Sequence, residues 1–493
     1  MQKVYFAFLF LFHTINAVAT TYYVAPNGND SNSGLSSVTA FKTLQQASDV
    51  VTAGDSVSVL AGTYTGFYQT TSGTSSQRII FSAQSDVTIN EPNGTTNDGI
   101  NLEGASYITI EGFTVIDQPR TGIRAVDDTG VIIRNNTCDH CEVWGILTGF
   151  SENILIENNI CTNTVEQHGI YFGNSADHPV IRNNTCWGNH DCGIHMNGDA
   201  SLGGDGIISN ALVENNIIYD NGTGGGSAVN CDGVQNSVIQ NNLLYNNHAS
   251  GIALFRIDGG GGASNNVVAN NTILQASDAR WALLISDGST GNIVFNNIIY
   301  SDHLFRGSIS VDAASIPGFH SDYNVQTDRM SIDGGNTVIT LAEWQEATQS
   351  DSNSFISNPQ SLFEDPTNDN YHLGYFFYSP AIDAGAAGYY SFAAPDSDIE
   401  NNFRPNYGFF DIGCYEFYYK DGIENISSST LRWDDLAAAD EIWFYDLSGR
   451  LVFTGRKEAF EKIQRSLPEG IYFFKAIHQL KFGSGEIVLI NEK

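Results

Sequence analysis

Lysine is missing from most of this 493-residue chain: none stands between Lys42 and Lys420. The gap excludes, over that interval, any chemistry that uses a lysine amine as base or nucleophile. Positive charge is scarce altogether, with 22 Lys and Arg against 55 Asp and Glu and a formal net charge of −33. Phosphate backbones are bound by clustered cations, so nucleic acid is not an expected partner. Proline is sparse too, 11 residues against 49 glycines, a balance that favours tight turns over long helices. Long apolar runs are limited to Val4 to Phe12, which is too short to span a membrane and is followed by Ala17-Val18-Ala19. Residues 1–19 therefore read as a signal peptide, and the mature chain as an exported monomer without a membrane span. Cysteines number seven. Cys138-x-x-Cys141 has no second pair at zinc-finger spacing, and six of the seven fall inside a regular repeat. They read as free, packed thiols, with no metal site expected.

What is present is self-similarity. An Asn-Asn pair follows a β-branched run in IIRNNTC (132–138), LIENNIC (155–161), VIRNNTC (180–186), LVENNII (212–218), VIQNNLL (238–244), VVANNTI (267–273) and IVFNNII (293–299). The first asparagines, 135, 158, 183, 215, 241, 270 and 296, are 23 to 32 residues apart. That step suits one β-coil and is too short for a strand–helix unit with ordinary loops. Between the pairs lies a second strand whose alternation gives an apolar face: Ile123/Ala125, Ile146/Thr148, Ile170/Phe172, Ile194/Met196, Val229/Cys231, Ile252/Leu254 and Leu283/Ile285. Stacked about 4.8 Å apart, such coils build a continuous core. The expected fold is all-β, a single-stranded right-handed parallel β-helix. The repeated asparagines are expected to bond their counterparts in neighbouring coils. Arg134, Glu157, Arg182 and Glu214 are expected to form an outward ion ladder, and Cys138, Cys161 and Cys186 a core row.

The flanks complete the organisation. Residues 20–302 carry the β-helix, opened by a strand, a short helix with Leu44, Ala47 and Val51 on one side, and a strand; that helix would cap the open end. Residues 303–420 read as final irregular coils and a C-terminal cap. Residues 421–493, with EIWFYDLSGRLVFTG, LPEGIYFFKA and GEIVLI, read as a small β-sandwich.

The coils, the opening YYVAPNGNDSNSG and the closing SPAIDAG (379–385) and DIGCYEF (411–417) resemble secreted bacterial right-handed β-helix proteins of pectate-lyase-like type. That resemblance implies the fold over residues 22–417 and a group that includes lyases, epimerases, hydrolases and binders. The last segment, with Tyr445-Asp446-Leu447-Ser448-Gly449-Arg450 and Leu467-Pro468-Glu469-Gly470-Ile471-Tyr472, resembles the C-terminal sorting domain of the Bacteroidetes type IX secretion system. It implies export by that machinery, to the medium or the outer-membrane surface.

Outward positions of the second strand locate a candidate site. They run Arg124/Val126, Leu147/Gly149, Tyr171/Gly173, His195/Asn197, Asn230/Asp232, Ala253/Phe255 and Leu284/Ser286, polar in the middle and apolar beyond. Long glycine-bearing insertions, Asp199 to Gly206 and the IDGGGGA after Arg256, follow these strands and would wall a groove. His195, Tyr171, Asp232 and Arg256 are the catalytic candidates. Asn197, Asn230, Phe255, Asp199 and His168 are the binding candidates, Tyr171 and Phe255 as stacking surfaces. The parity of His168 matches the core face, which makes it equally a corner histidine.

With a polysaccharide as expected partner, three chemistries fit. A uronate lyase or C5-epimerase must neutralise a carboxylate and remove the adjacent proton. Here the base would be His195, Tyr171 or an arginine, with Ca2+ on Asp232 or Asp199 as the only cofactor the sequence suggests. A glycoside hydrolase would need two carboxylates from Asp232, Asp199 and Asp205. A binder would need neither.

Overall fold

The computed structural model describes residues 19–374, 379–406, 408–418, 441–445, 451–456, 470–478 and 481–489. The expected leader, apart from residue 19, and the segments Asp446 to Arg450 and Leu467 to Glu469 lie outside the described residues. Two compact units result: residues 1–404 with 410–416, and residues 405–409 with 417–493.

A regular coil of the first unit gives one short strand to each of three parallel sheets, which have twelve, ten and twelve strands. One coil is Leu155–Glu157, Ile160–Thr162 and Ile170–Gly173. Every residue expected on the inner face of the ten-stranded sheet is fully buried, from Ile123 to Ile285. The chain is an all-β parallel solenoid, as the periodicity predicts.

The Asn-Asn pair divides its labour at the bend between the two twelve-stranded sheets. The first asparagine takes the left-handed conformation, with φ 56° at Asn135, 56° at Asn158 and 57° at Asn215; asparagine tolerates this region far better than a β-branched residue. The second is buried and forms the ladder. Asn159 Nδ2 donates to Asn184 Oδ1 at 3.0 Å, Asn184 to Asn216 at 3.1 Å, and Asn216 to Asn242 at 2.9 Å. The same oxygens accept backbone amides, as Asn184 Oδ1 does from Asn159 N. Bonding is therefore supplied to polar groups that would otherwise be costly inside. A second ladder, Thr164–Asn189–Asn221–Asn247, lines the next bend.

Arg134, Glu157, Arg182 and Glu214 stand in register. The bonds that form are Arg134 to Glu111 at 2.7 Å and Arg182 to Glu157 at 2.8 Å, while Glu214 accepts from Gln240. All seven cysteines are buried and free, and Cys138, Cys161 and Cys186 are stacked in one row.

Leu44, Ala47 and Val51 of the N-terminal helix region join the core. At the other end, regular pairing persists to Val325–Gln326, and Phe355–Ile356 adds a further strand. Helix Leu341–Thr348 buries Trp344, whose indole donates to Asp351 at 2.7 Å. The segment beyond runs back along the solenoid. There Asn241, Asn270 and Asn296 donate to backbone carbonyls of Ser397, Asp411 and Ala386. In the second unit the described strands Leu451–Gly455, Glu441–Tyr445, Gly470–His478 and Lys481–Leu489 form one antiparallel sheet in that order. No helix among the described residues is long and apolar enough to cross a membrane.

Candidate active site

Strand pairing stacks Tyr171, His195, Asn230 and Ala253 in one outward column of the ten-stranded sheet, and Gly173, Asn197, Asp232 and Phe255 in the next. Alternation places these opposite to the buried Ile170, Phe172, Ile194 and Met196. The side chains leave the core as the sequence predicts. They do not all meet solvent, because the two insertions fold over them. Ala200 N donates to Asp258 O at 3.0 Å and Gly260 N to Gly206 O at 2.7 Å, tying loop to loop. Asn197, Asn230 and Asp232 are buried beneath.

The centre is a ring cluster. Tyr171 crosses the face of Gly173, where an added Cβ would lie 2.6 Å from the tyrosine ring. Its hydroxyl thereby reaches the next coil and accepts from Asn197 Nδ2 at 3.1 Å. His168 stacks on Tyr171 with centroids 5.6 Å apart, His195 meets it edge-on at 5.3 Å, and Trp144 tilts against it at 5.8 Å. Tyr171 was expected to act as a catalytic group or to offer its ring to a sugar; three rings pack around it.

His168 is buried with both ring nitrogens hydrogen-bonded, as a satisfied corner histidine would be. Its Nδ1 accepts from Cys192 N at 3.2 Å, and its Nε2 is 2.9 Å from His195 Nδ1. Burial drives the His168 imidazole well below its ordinary value, and the neighbouring His195 adds to this. Burial likewise lowers His195 to about 4. Tyr171 is shifted up, first by burial and then by Asp199, Asp258 and Asp232, against the Asn197 hydrogen bond. At neutral pH the cluster holds two neutral imidazoles and a neutral phenol. His195 Nε2, Asn197 Oδ1 and Trp144 Nε1 are buried and have no partner among the described residues. Asn230 is steadied by Ser227, whose hydroxyl donates to its Oδ1 at 2.9 Å.

Two catalytic candidates have other duties or positions. Asp232 accepts the amides of Ile257, Asp258 and Gly259 at 2.8–3.0 Å, so it anchors the glycine loop. Burial raises its carboxyl above the usual range, against those three amide hydrogen bonds. Arg256 is exposed at the end of strand Ser250–Phe255 and has no hydrogen bond or ion pair among the described residues. It does not join the cluster. Asp199 caps a short 3-10 turn through Ser201 N at 2.8 Å and lies at the loop margin. Phe255 lies three coils from Tyr171, with no ring contact to it among the described residues.

Residue-by-residue reading missed Cys192, Trp144 and Ser227. A signal was available: His168-x-x-Tyr171, Cys192-x-x-His195 and Ser227-x-x-Asn230 share one spacing, so the leading residues recur beside the site on successive coils. Cys192 also completes the group of His168, Cys192 and His195, whose ligand atoms all lie within 4.8 Å of one another. A soft divalent ion is the kind such nitrogens and sulfur would take. Each group already has a partner, however, since Cys192 Sγ accepts from Ser227 N at 3.4 Å. Burial pushes the Cys192 thiol up to about 12.

The fold is a parallel β-helix with a cluster of polar side chains on one sheet face beneath two mutually bonded loops. The family model described as "Right handed beta helix region" matches residues 64–203 and 166–316. The chain belongs to that family. No curated protein matches the sequence. Among solved structures, pectate lyase Pel9A is similar at 15% identity and a TM-score of 0.51, covering 82% of this chain and 97% of that one. The Azotobacter vinelandii mannuronan C-5 epimerase AlgE4 A-module has 17% identity and a TM-score of 0.41, with 62% and 89% covered. The alginate lyase of Paenibacillus sp. str. FPU-7 has 21% identity and a TM-score of 0.38, with 51% and 90% covered.

Proposed function

We propose that the protein is an exported polysaccharide-processing enzyme of the lyase or C5-epimerase type, acting on a uronate-containing glycan at the Tyr171–His195 groove. One observation carries the reading. On adjacent coils, a phenol held by Asn197 and a neutral imidazole with an unpartnered Nε2 stand side by side beneath the glycine loops. Tyr171 is the proton carrier. As phenolate it takes the C5 proton; the C–H electrons form the C4=C5 double bond, the C4–O4 bond breaks, and the phenol returns the proton to the departing oxygen. In an epimerase the carbanion is instead reprotonated on its other face. Asn197 stabilises the phenolate by donating to it. His195 and Asn230 are uncharged groups for the substrate carboxylate, in a groove where no lysine is present.

The test is incubation of purified protein with a panel of uronate polymers in D2O. Unsaturated ends, seen by their ultraviolet absorbance, mark a lyase, and deuterium at C5 without chain cleavage marks an epimerase. Neither signal across the panel defeats the proposal. A hydrolase is the second reading, favoured by Asp199 and Asp258, which both act on Tyr171 and sit on mutually bonded loops. New reducing ends without ultraviolet absorbance would select it. Binding without turnover, unaffected by His195→Ala, would select a glycan-binding protein. The leader and C-terminal motifs support delivery by type IX secretion, which shortening of the mature chain at both ends would verify by mass spectrometry.

A further inference from the structure

We propose that His168 is a positioning residue that locks His195 into the tautomer with its proton on Nε2, so that His195 presents the groove with a hydrogen-bond donor instead of a base. The argument begins at a group that has no choice. A backbone N–H can only donate, and that of Cys192 points at His168 Nδ1 from 3.2 Å. Nδ1 is therefore unprotonated, and the neutral ring carries its proton on Nε2. That nitrogen is 2.9 Å from His195 Nδ1, so the proton is donated there. His195 Nδ1 is an acceptor, and the remaining proton of the neutral ring must sit on Nε2. The opposite order would set His168 Nδ1–H against the Cys192 amide, two donors with no acceptor between them. Burial of both rings, which disfavours imidazolium, supports the same assignment.

The consequence concerns the ligand. His195 Nε2 is out of solvent and has no partner among the described residues. As an N–H it selects an oxygen with a lone pair, a carboxylate or hydroxyl, and cannot accept a proton from carbon. Resting on the reading of the groove as a lyase or epimerase site, this leaves proton abstraction to Tyr171 and assigns His195 to the substrate carboxylate.

Nitrogen-15 NMR of histidine-labelled full-length protein reads the tautomer directly, with His168 and His195 assigned by substitution. The expected spectrum has His195 protonated at Nε2 and unprotonated at Nδ1. His168→Gln should preserve it, because one carboxamide oxygen can accept from Cys192 N while its NH2 donates to His195 Nδ1. His168→Phe should release it, with His195 shifting to a mixture and kcat falling at least ~10-fold more than in His168→Gln. Wild-type His195 protonated at Nδ1 overturns the proposal whatever the variants do. Shifts of both rings on EDTA treatment overturn it as well, since they would mean a bound metal in place of the proton. A spectrum as expected, in a protein that turns over no uronate polymer, leaves the tautomer standing and removes the enzymatic reading.

Discussion

Two stretches of the same sheet face invite comparison. Along the N-terminal coils, the outward charges pair off. Arg120 holds Asp98, with Nε to Oδ1 at 2.8 Å, and Arg124 bonds both Glu103 and Asn101. Two coils on from Arg124, in the same column, stands Tyr171, packed against the neutral imidazoles of His168 and His195, with Asp199, Asp232 and Asp258 near enough to act on it. Both stretches look polar in sequence. The difference is one of charge: the first stretch pairs arginines with carboxylates, the second gathers neutral rings and amides under a loop cover, and buried atoms without a partner among the described residues occur in both, at Thr121 and Asp128 as at Asn197.

The comparison would break most sharply at Tyr171. Tyr171→Phe removes the hydroxyl yet keeps the ring packing. Catalysis on a uronate polymer should fall by roughly 10²–10⁴-fold with thermal stability nearly unchanged; retained turnover would move the chemistry elsewhere. Next in size is the asparagine ladder at the bend between the two twelve-stranded sheets. Asn216→Ala leaves partners on two coils unbonded, and urea unfolding should show a loss of about 1–3 kcal/mol for each buried group so exposed.

A pH series separates the stretches without mutation. His168 and His195 are held neutral in the folded chain, His195 to about 4, whereas an unfolded histidine titrates near 6.5. Between those values the unfolded state binds more protons. Stability should therefore fall as pH drops from about 6.5 towards 4, and His195→Gln should flatten that slope. Activity should also rise with pH, but over a higher range. Because the Tyr171 phenol is shifted upward, turnover that needs its phenolate should climb into the alkaline range. An optimum at pH 5 would speak against that role. The smallest effect is expected in the paired stretch: Arg124→Ala should change stability by less than ~1 kcal/mol and leave kcat alone, since partly exposed ion pairs contribute little.

Several structural features were legible before any coordinates. Period-two alternation specified which side chains line the core, because a parallel coil buries one parity on every strand. Repeat length specified the coil, and the Asn-Asn pairs specified the bend. Outward placement of Tyr171, His195, Asn197 and Asn230 followed from the same parity. The roles of Asp232 and Arg256 did not, since they depend on how a glycine-rich loop folds back, and such a loop carries no periodic signal. The part played by Cys192 was equally hidden, because it acts through a backbone amide that every residue possesses.

Sequence by itself determined the solenoid, its core rows, its asparagine ladder and the coils on which a site could be built. Those are properties of a repeating pattern, and each repeat restates them. Only the tertiary structure decided which polar groups are already satisfied. It alone showed that Asp232 is consumed by three amides, and that His168 and His195 are joined nitrogen to nitrogen. Those outcomes turn on hydrogen-bond geometry between coils some two dozen residues apart in sequence, where a displacement of an ångström separates a bond from none.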